Sequence, residues 1–240
     1  MRSQKKSGFS TFRHSDSIQD WNALPVDRRV KGGASLSGNE RDSFFLSKGG
    51  KDFTNISGIS GLDDPGDGRS FAVLDFDRDG WPDLIVASAN YPTFQLYRNQ
   101  MGDKSSGGVQ ANRMIAVRLV GGNATAEPSK DWSNRDGVGA VMSIDLGGQV
   151  LVREHRAGEG LAAQNSPTTL IGIGQHAAVD SLRVKWPSGK VQEIGKVAAG
   201  TLVTVYENPD LSPGRKAATM KPYKVGSIHP PPRRDLAQLR

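Results

Sequence analysis

Residues 75–83 combine four aspartates and a glycine at spacings that suit a hard metal cation. The run reads Asp-Phe-Asp-Arg-Asp-Gly-Trp-Pro-Asp, so its carboxylates fall on a period-two register and Gly80 permits a sharp turn. Ca²⁺ takes oxygen ligands from carboxylates and backbone carbonyls. We therefore predict a structural, non-catalytic calcium site whose ligands are the side chains of Asp75, Asp77, Asp79 and Asp83 and the backbone carbonyl of Trp81.

The alternative is a solvated acidic turn, because Asp and Gly are common turn residues. Four aspartates this close would repel one another without a cation, which favours the calcium site. The loop does not fit an EF-hand, since its twelfth position, where a bidentate Glu is needed, is Val86. Ser70–Leu74 and Leu84–Ser88 are short, apolar and β-prone, so we predict a strand–loop–strand hairpin that the cation closes.

The stretch from Asp75 to Val86 resembles the calcium loop of FG-GAP/VCBS repeats, which form the blades of integrin-type β-propellers. The run Gln95-Leu96-Tyr97-Arg98-Asn99 follows the second strand. This order is similar to the propeller part of the cartilage acidic protein family and its bacterial relatives.

The second half of the chain resembles the ASPIC/UnbV domain that follows the propeller in that family. The resemblance spans residues 36–207 in total and depends on motifs in a fixed order. These are Asn134-Arg135-Asp136-Gly137-Val138-Gly139-Ala140, Arg153-Glu154, Gly158-Glu159-Gly160, Gln164-Asn165-Ser166 and Val179-Asp180-Ser181-Leu182-Arg183-Val184-Lys185-Trp186-Pro187-Ser188-Gly189-Lys190.

The resemblance implies an all-β chain: a partial β-propeller with one integrin-like FG-GAP blade, then an antiparallel ASPIC/UnbV β-sandwich or small barrel, with disordered termini. It also implies a calcium-binding, non-enzymatic interaction or adhesion module with a protein or glycan ligand. Its implied location is extracellular, periplasmic or on the cell surface. Fold-level likeness alone does not identify a ligand.

Composition and turn signals divide the chain into five segments. We predict an irregular arm (1–35), a propeller-like segment with the calcium loop (36–100), a Gly/Ser-rich linker (101–111), a β domain (112–208) and a basic, Pro-containing disordered tail (209–240). Period-two stretches predict strands in the β domain at Met114–Val120, Ala140–Leu146, Val150–His155, Ser181–Trp186 and Leu202–Tyr206. Turn signals separate them at Gly121-Gly122, Gly147-Gly148, Gly172–Gly174 and Pro187-Ser188-Gly189.

The net charge of +6 lies on the flanks of the chain. Residues 1–31 hold seven Lys/Arg and three Asp, and residues 212–240 hold seven Lys/Arg and one Asp, which leaves residues 32–211 at −4. A folded basic face interleaved with aromatics would indicate a nucleic-acid partner, and we predict no specific one. The absence of cysteine excludes disulfides and thiolate metal sites.

No signal peptide and no membrane span are recognisable in the sequence. A closed propeller has about four to eight blades, yet only one complete calcium loop is present. We therefore expect a truncated member or an internal part of a longer protein, with the missing propeller blades as partners.

Other candidate sites are weaker. Asn134, Arg135 and Asp136 could face a ligand groove with Arg153 and Glu154, or could serve the turn. Because neighbouring strand residues point to opposite faces, we expect one of Arg153 and Glu154 to be buried and paired. His155 is predicted to be a surface residue and Trp186 a core or rim aromatic. The acidic segment 63–69 is predicted to be a turn, with a second cation-proximal loop as the alternative.

Two other functions stay open. One is an enzyme-associated scaffold or a hydrolase that uses the propeller mouth, although the four histidines show no metalloprotease spacing and no Gly-x-Ser-x-Gly elbow occurs. The other is a polyanion-binding protein that acts through its basic termini.

Overall fold

Residues 40–89, 92–101 and 112–223 are described by a computed structural model and consist almost entirely of β-structure. They contain fifteen strands, a four-residue helix, α1 (Ser57–Ser60), and a 3₁₀ turn at Pro209–Leu211. Contacts divide them into two units. The first comprises residues 40–72, 84–89, 92–97 and 160–163, and the second comprises residues 73–83, 98–101, 112–159 and 164–223.

The first unit consists of small sheets with exposed apolar side chains. An antiparallel hairpin joins β1 (Phe45–Lys48) to β2 (Asp52–Asn55), and a second sheet has the order β3 (Gly68–Leu74), β4 (Asp83–Ser88) and β5 (Phe94–Tyr97). Phe53 and Phe94 are 66% and 67% exposed. Every buried hydrophobic residue of the described chain lies in the second unit, so this unit has the character of an incomplete blade.

The second unit is a β-sandwich of two four-stranded sheets. One sheet has the order β12-β11-β7-β8, and the other has the order β15-β14-β6-β9. Pairing is antiparallel except between β14 and β6, which run parallel. Their bounds are β6 (Arg113–Val120), β7 (Val141–Asp145), β8 (Val150–Glu154), β9 (Thr168–Gly174), β11 (Ser181–Lys185), β12 (Val191–Ile194), β14 (Thr201–Tyr206) and β15 (Ala218–Pro222). A short pair, β10 (Ala178–Val179) and β13 (Val197–Ala198), completes it.

Alternating apolar side chains from both sheets form the core of this sandwich. The fully buried side chains include Ile115, Met142, Ile171, Leu182 and Val203, which come from five different strands. Trp186 is also buried, and its indole Nε1 donates to Gln192 Oε1 at 2.8 Å, so its polar atom is satisfied. The predictions of an all-β fold, of a sandwich and of a core position for Trp186 are confirmed.

Four predicted turns and five predicted strands can be compared with these elements. All five predicted strands are present within one residue of their predicted ends. The prediction of a turn at Gly172–Gly174 is wrong, because these residues lie in β9. Gly172 and Gly174 are exposed while Ile171 and Ile173 are buried, so the side chains alternate, but the register with β6 shifts between Arg113 and Met114 and Gly174 ends the strand with a φ of 57°.

The prediction that a disordered tail starts at residue 209 is wrong for residues 209–223. Asn208 caps the 3₁₀ turn by accepting from the amide of Asp210, and β15 then pairs with β14. Tyr223, directly after β15, is buried. Composition predicted disorder here because Lys and Pro are frequent, but β14 would otherwise present unpaired backbone groups to solvent, and β15 satisfies them.

Three predicted segments fall wholly or largely outside the described residues: the arm at 1–35, the linker at 101–111 and the tail beyond Tyr223. Within the described ranges, none of the helices is long and apolar enough to cross a membrane.

Candidate metal centre

The predicted hairpin is present around residues 75–83. β3 ends at Leu74, directly before Asp75, and β4 begins at Asp83. Two residues between them have left-handed backbone, Arg78 with φ 56° and Gly80 with φ 94°. Glycine adopts this conformation without strain, so the glycine of the motif lies where the loop turns back on itself.

The turn brings three of the four predicted carboxylates together. One oxygen from each of Asp75, Asp77 and Asp83 lies within 4.8 Å of the others. Asp77 is 5% exposed and Asp83 is 1% exposed. Two oxygens bound to one Ca²⁺ at about 2.3–2.6 Å can be at most about 5 Å apart, so these three oxygens could share one ion.

Backbone amides hold two of these carboxylates in place. Asp75 Oδ1 accepts from the amide of Asp79 at 3.1 Å, and its Oδ2 accepts from that of Gly80 at 2.9 Å. Asp83 Oδ2 accepts from the amide of Phe76 at 3.1 Å, and its Oδ1 from that of Asn99 at 2.7 Å. The loop therefore fixes the carboxylates from the protein side before any cation binds.

Arg98 brings a positive charge into the cluster. Its Nε donates to Asp77 Oδ2 at 2.6 Å, and one terminal nitrogen lies 3.3 Å from Asp79 Oδ2. Asp79 is outside the group of three, and its Oδ1 accepts from the amide of Trp81 at 2.8 Å. Asp79 is thus placed as a loop-stabilising residue and as a partner of Arg98.

Burial and neighbouring negative charges raise the pKa values of two carboxylates in the loop. Burial raises the pKa of Asp83, and the charges of Asp77 and Asp79 raise it further, against the amides of Asn99 and Phe76. Burial likewise raises the pKa of Asp75, as do Asp79 and Asp83, against hydrogen bonds from Gly80 and Tyr223. A divalent cation among these oxygens would reverse both shifts, because it favours the ionised form.

The backbone amide of Trp81 donates to Asp79 Oδ1. Its carbonyl takes part in no hydrogen bond identified within the described ranges. Its role as a carbonyl ligand stays a prediction. Arg98 and Tyr223 were not predicted as site residues. The run Tyr97-Arg98-Asn99 was recognisable in the sequence, but Tyr223 follows the loop by about 140 positions and gives no local signal.

The second acidic segment, residues 63–69, uses its carboxylates separately. Asp63 pairs with Arg41 at 2.5 Å, and Asp64 Oδ1 accepts from the amide of Gly66 at 2.7 Å. Asp67 is fully buried, and the guanidinium of Arg69 lies 4.0 Å from its carboxylate. In the described part of the chain, only Asp75, Asp77 and Asp83 form a group that could hold a metal.

The predicted binding residues of the sandwich do not form one site. Asn134 bonds the backbone of Val138 through both ends of its amide, at 2.8 and 2.9 Å, which is the arrangement of a turn. Arg135 and Asp136 pair with each other on the surface. Arg153 donates to the neighbouring carbonyl of Val152.

Two expectations about the end of β8 are corrected. Arg153 and Glu154 are both exposed, and Glu154 pairs with Arg156 at 2.8 Å rather than being buried. His155, expected on the surface, is 5% exposed. The ladder with β7 continues past Glu154, because the amide of His155 donates to the carbonyl of Ala140 and its carbonyl accepts from the amide of Gly139. The alternation of the strand then puts the His155 side chain on the same face as the half-buried Leu151.

A further buried carboxylate, Glu207, follows β14. Its Oε2 accepts from the amides of Gly122 and Ser133 at 2.7 and 2.8 Å. Its Oε1 accepts from the hydroxyls of Ser133 and Ser188 at 2.9 and 2.5 Å. Burial alone would raise the pKa of Glu207, but the hydrogen bonds from Ser188, Gly122 and Ser133 together lower it.

Comparison with protein families agrees with the order of the two units' motifs. Residues 34–86 match the FG-GAP-like repeat, residues 68–110 match the FG-GAP repeat, and residues 130–211 match the ASPIC and UnbV family. The chain is an ASPIC/UnbV domain protein with FG-GAP repeats. The aspartate loop lies within both repeat matches. No curated protein matches the chain.

These family matches bear on function at a coarse level. FG-GAP repeats are typical of extracellular or cell-surface proteins, and the two kinds of module together indicate an extracellular-type interaction module. The sandwich described above is the ASPIC/UnbV part, and the hairpin with the aspartate loop belongs to the FG-GAP part.

Proposed function

We propose that this ASPIC/UnbV protein is a calcium-dependent, non-enzymatic interaction module that acts outside the cytoplasm. Ca²⁺ is structural: it neutralises the aspartate loop and fixes the hairpin that carries it. The observation that carries the proposal is the convergence of Asp75, Asp77 and Asp83 within 4.8 Å, with two of the three carboxylates almost fully buried.

The donor set fits calcium better than other common metals. All three groups are carboxylates, and no cysteine is present in the chain. Histidine and thiolate ligands select zinc or copper, whereas an all-oxygen set selects Ca²⁺, Mg²⁺ or Mn²⁺. Carboxylates with spare oxygens suit the six to eight ligands of Ca²⁺.

The test is thermal unfolding of the full chain with EDTA and with excess Ca²⁺. A ligand that binds only the folded state stabilises it by about 2.7 kcal/mol at 100 times its Kd. We expect Ca²⁺ to raise Tm of the wild type and to have no effect on Asp77→Asn. Asp180→Asn, at an exposed aspartate of the sandwich, is the matched control and should respond like the wild type.

An equal Tm with EDTA and with saturating Ca²⁺ would refute the calcium site. A response in Asp77→Asn as large as that of the wild type would mean that the ion binds elsewhere. The proposed location is tested separately, by protease accessibility of the protein on intact cells: complete protection would contradict a role at the surface.

A further inference from the structure

A cavity of about 240 Å³ opens in the second unit, and its wall combines polar side chains with the apolar residues Val73, Leu74, Pro82 and Leu170. It is smaller than the roughly 300–1,000 Å³ of sites for drug-sized molecules, so it suits a single small ring rather than a chain. Several residues of the ASPIC/UnbV-like motifs that have no part in the metal centre line this cavity. The polar lining residues are Asp75, Glu154, His155, Arg156, Glu159, Asn165, Ser166, Thr168, Thr169 and Tyr223.

His155 supplies a buried acceptor to this wall. The residue is 5% exposed and lines the cavity, and its ring donates a hydrogen bond to the backbone carbonyl of Asp136. Burial lowers the pKa of His155, against the effects of Asp136 and Glu159, so the ring is neutral near pH 7. A neutral imidazole that donates through one nitrogen accepts through the other.

Glu159 and Asn165 form an ordered part of the same wall. Asn165 Nδ2 donates to Glu159 Oε2 at 2.6 Å, while Asn165 Oδ1 accepts from the amide of Val73 at 2.8 Å. The amide of Ser166 also bonds the carbonyl of Val73, at 2.9 Å. The contacts with Val73 fix Asn165, which in turn orients Glu159; within the described ranges, the hydrogen bond identified for the Glu159 carboxylate involves Oε2, which leaves Oε1 to accept from a ligand.

The charges around the cavity disfavour an anionic ligand. Glu154 pairs with Arg156 at 2.8 Å, which neutralises both groups. Asp75 is already bonded by the amides of Asp79 and Gly80. The remaining acceptors are Glu159, the neutral ring of His155 and the hydroxyls of Thr168 and Thr169, and an anion here would meet the carboxylates of Asp75 and Glu159. Several acceptors in a small space require a ligand with several donors.

We infer that this cavity binds a small neutral polyol, such as one hexose ring, with Glu159, His155 and Thr169 accepting hydrogen bonds from its hydroxyl groups. The inference rests on the proposed interaction function and specifies the class of ligand that the module recognises. An ammonium group is the competing ligand, because Glu159 could also attract a cation.

The experiment titrates the full chain with glucose, galactose, mannose and N-acetylglucosamine. Glucosamine tests for an ammonium site, and glucuronate provides an anionic comparison. Imidazole resonances of His155 are followed by NMR, with those of exposed His176 as internal reference. We expect at least one neutral sugar to shift the His155 signals alone, with a Kd on the order of 1 mM, and glucosamine and glucuronate to bind at least about tenfold more weakly.

Variants test the assignment without depending on His155, whose burial makes substitution risky for folding. Glu159→Gln and Thr169→Val should each weaken sugar binding about tenfold, whereas His176→Ala should leave it unchanged. Undisturbed His155 signals at about 50 mM of every neutral sugar, preference for glucosamine, or full binding by Glu159→Gln would each overturn the inference. Sugar binding without calcium stabilisation would refute the metal site alone, and stabilisation without sugar binding would refute only this inference.

Discussion

Two carboxylate centres in the second unit, the buried Glu207 and the group formed by Asp75, Asp77 and Asp83, compensate their negative charge differently. Glu207 receives four hydrogen bonds from neutral protein donors, two of them backbone amides and two of them serine hydroxyls. Asp75, Asp77 and Asp83 lie beside one another and share fewer donors per charge. The pKa of Glu207 is lowered, whereas the pKa values of Asp75 and Asp83 are raised.

The difference shows that burial alone does not decide whether the pKa of a carboxylate is raised or lowered. Glu207 and Asp83 are 3% and 1% exposed, so their desolvation is similar. The two carboxylates differ in their neighbours. Hydrogen-bond donors around Glu207 stabilise its ionised form, whereas the negative charges of Asp77 and Asp79 destabilise the ionised form of Asp83. The raised pKa values of Asp75 and Asp83 among converging carboxylates therefore support the proposed cation site.

The largest effect should come from removing the carboxylate of Glu207. Glu207→Ala leaves the amides of Gly122 and Ser133 and two hydroxyls without their acceptor. Hydrogen bonds to charged groups contribute about 1.5–3 kcal/mol each and unsatisfied buried donors are unfavourable, so we expect a loss of at least about 3 kcal/mol in the free energy of unfolding. Urea denaturation measures it.

The matched control is Glu193→Ala, at an exposed glutamate on β12, which should change the free energy of unfolding by less than about 0.5 kcal/mol. The Glu207 site also depends on the close approach of the backbone at Gly121 to the backbone at Asn134, because a Cβ on Gly121 would lie 1.8 Å from the carbonyl oxygen of Asn134. If Glu207→Ala proved as mild as the control, its four bonds would not be the stabilising centre described here.

A smaller effect is expected from calcium, which should act on the aspartate group and leave the Glu207 centre unaffected. Saturating Ca²⁺ should stabilise the wild type and Glu207→Gln equally, by about 2.7 kcal/mol at 100 times the Kd, because the two sites share no partners. Asp83→Asn should gain nothing from calcium. Isothermal urea unfolding with EDTA and with Ca²⁺ gives both differences, and a reduced calcium response in Glu207→Gln would show that the two centres are coupled.

The aspartate loop was predictable because its signal is local. Four acidic residues, a glycine and two β-prone flanks lie within about twenty positions, and the period of the strands fixes which side chains share a face. The hairpin therefore lies where the sequence predicted it, and Asp75, Asp77 and Asp83 lie close together, while their role as metal ligands stays a prediction. Spacing alone could not distinguish Asp79 from the other three aspartates, because its pairing with Arg98 depends on the path of the chain after β5.

The rest of the chemistry depends on contacts between distant positions. Glu207 meets residues more than 70 positions earlier in the chain, and its motif contains no residue type that marks a buried site. His155 was predicted to be a surface residue because it stands beside Glu154, but the fold buries it. Tyr223 was assigned to a disordered tail on composition. In each case tertiary packing, which a local pattern does not encode, decided the outcome.

The pH dependence of stability should show that the folded state favours the ionised form of Glu207. Its folded pKa is lowered, so its contribution is complete above the unfolded pKa of about 4.3 and is lost as pH falls through the lower folded value. The stability advantage of the wild type over Glu207→Gln should thus be constant near neutrality and shrink in acid. Urea unfolding of both proteins with EDTA at a series of pH values tests this. An advantage that did not change with pH would contradict the lowered pKa.

The smallest expected effect concerns Arg98, the protein's own cation at the aspartate loop. Arg98→Gln should reduce stability by about 1 kcal/mol or less in EDTA, because the pair with Asp77 is only partly shielded from solvent. With saturating Ca²⁺ the loss should become smaller, since the ion neutralises the same carboxylate. Arg135→Gln, which removes an exposed pair with Asp136, is the control and should be indifferent to calcium. A loss that grew with Ca²⁺ would instead mean that Arg98 positions Asp77 for the metal, and the guanidinium and the ion would then be partners rather than substitutes.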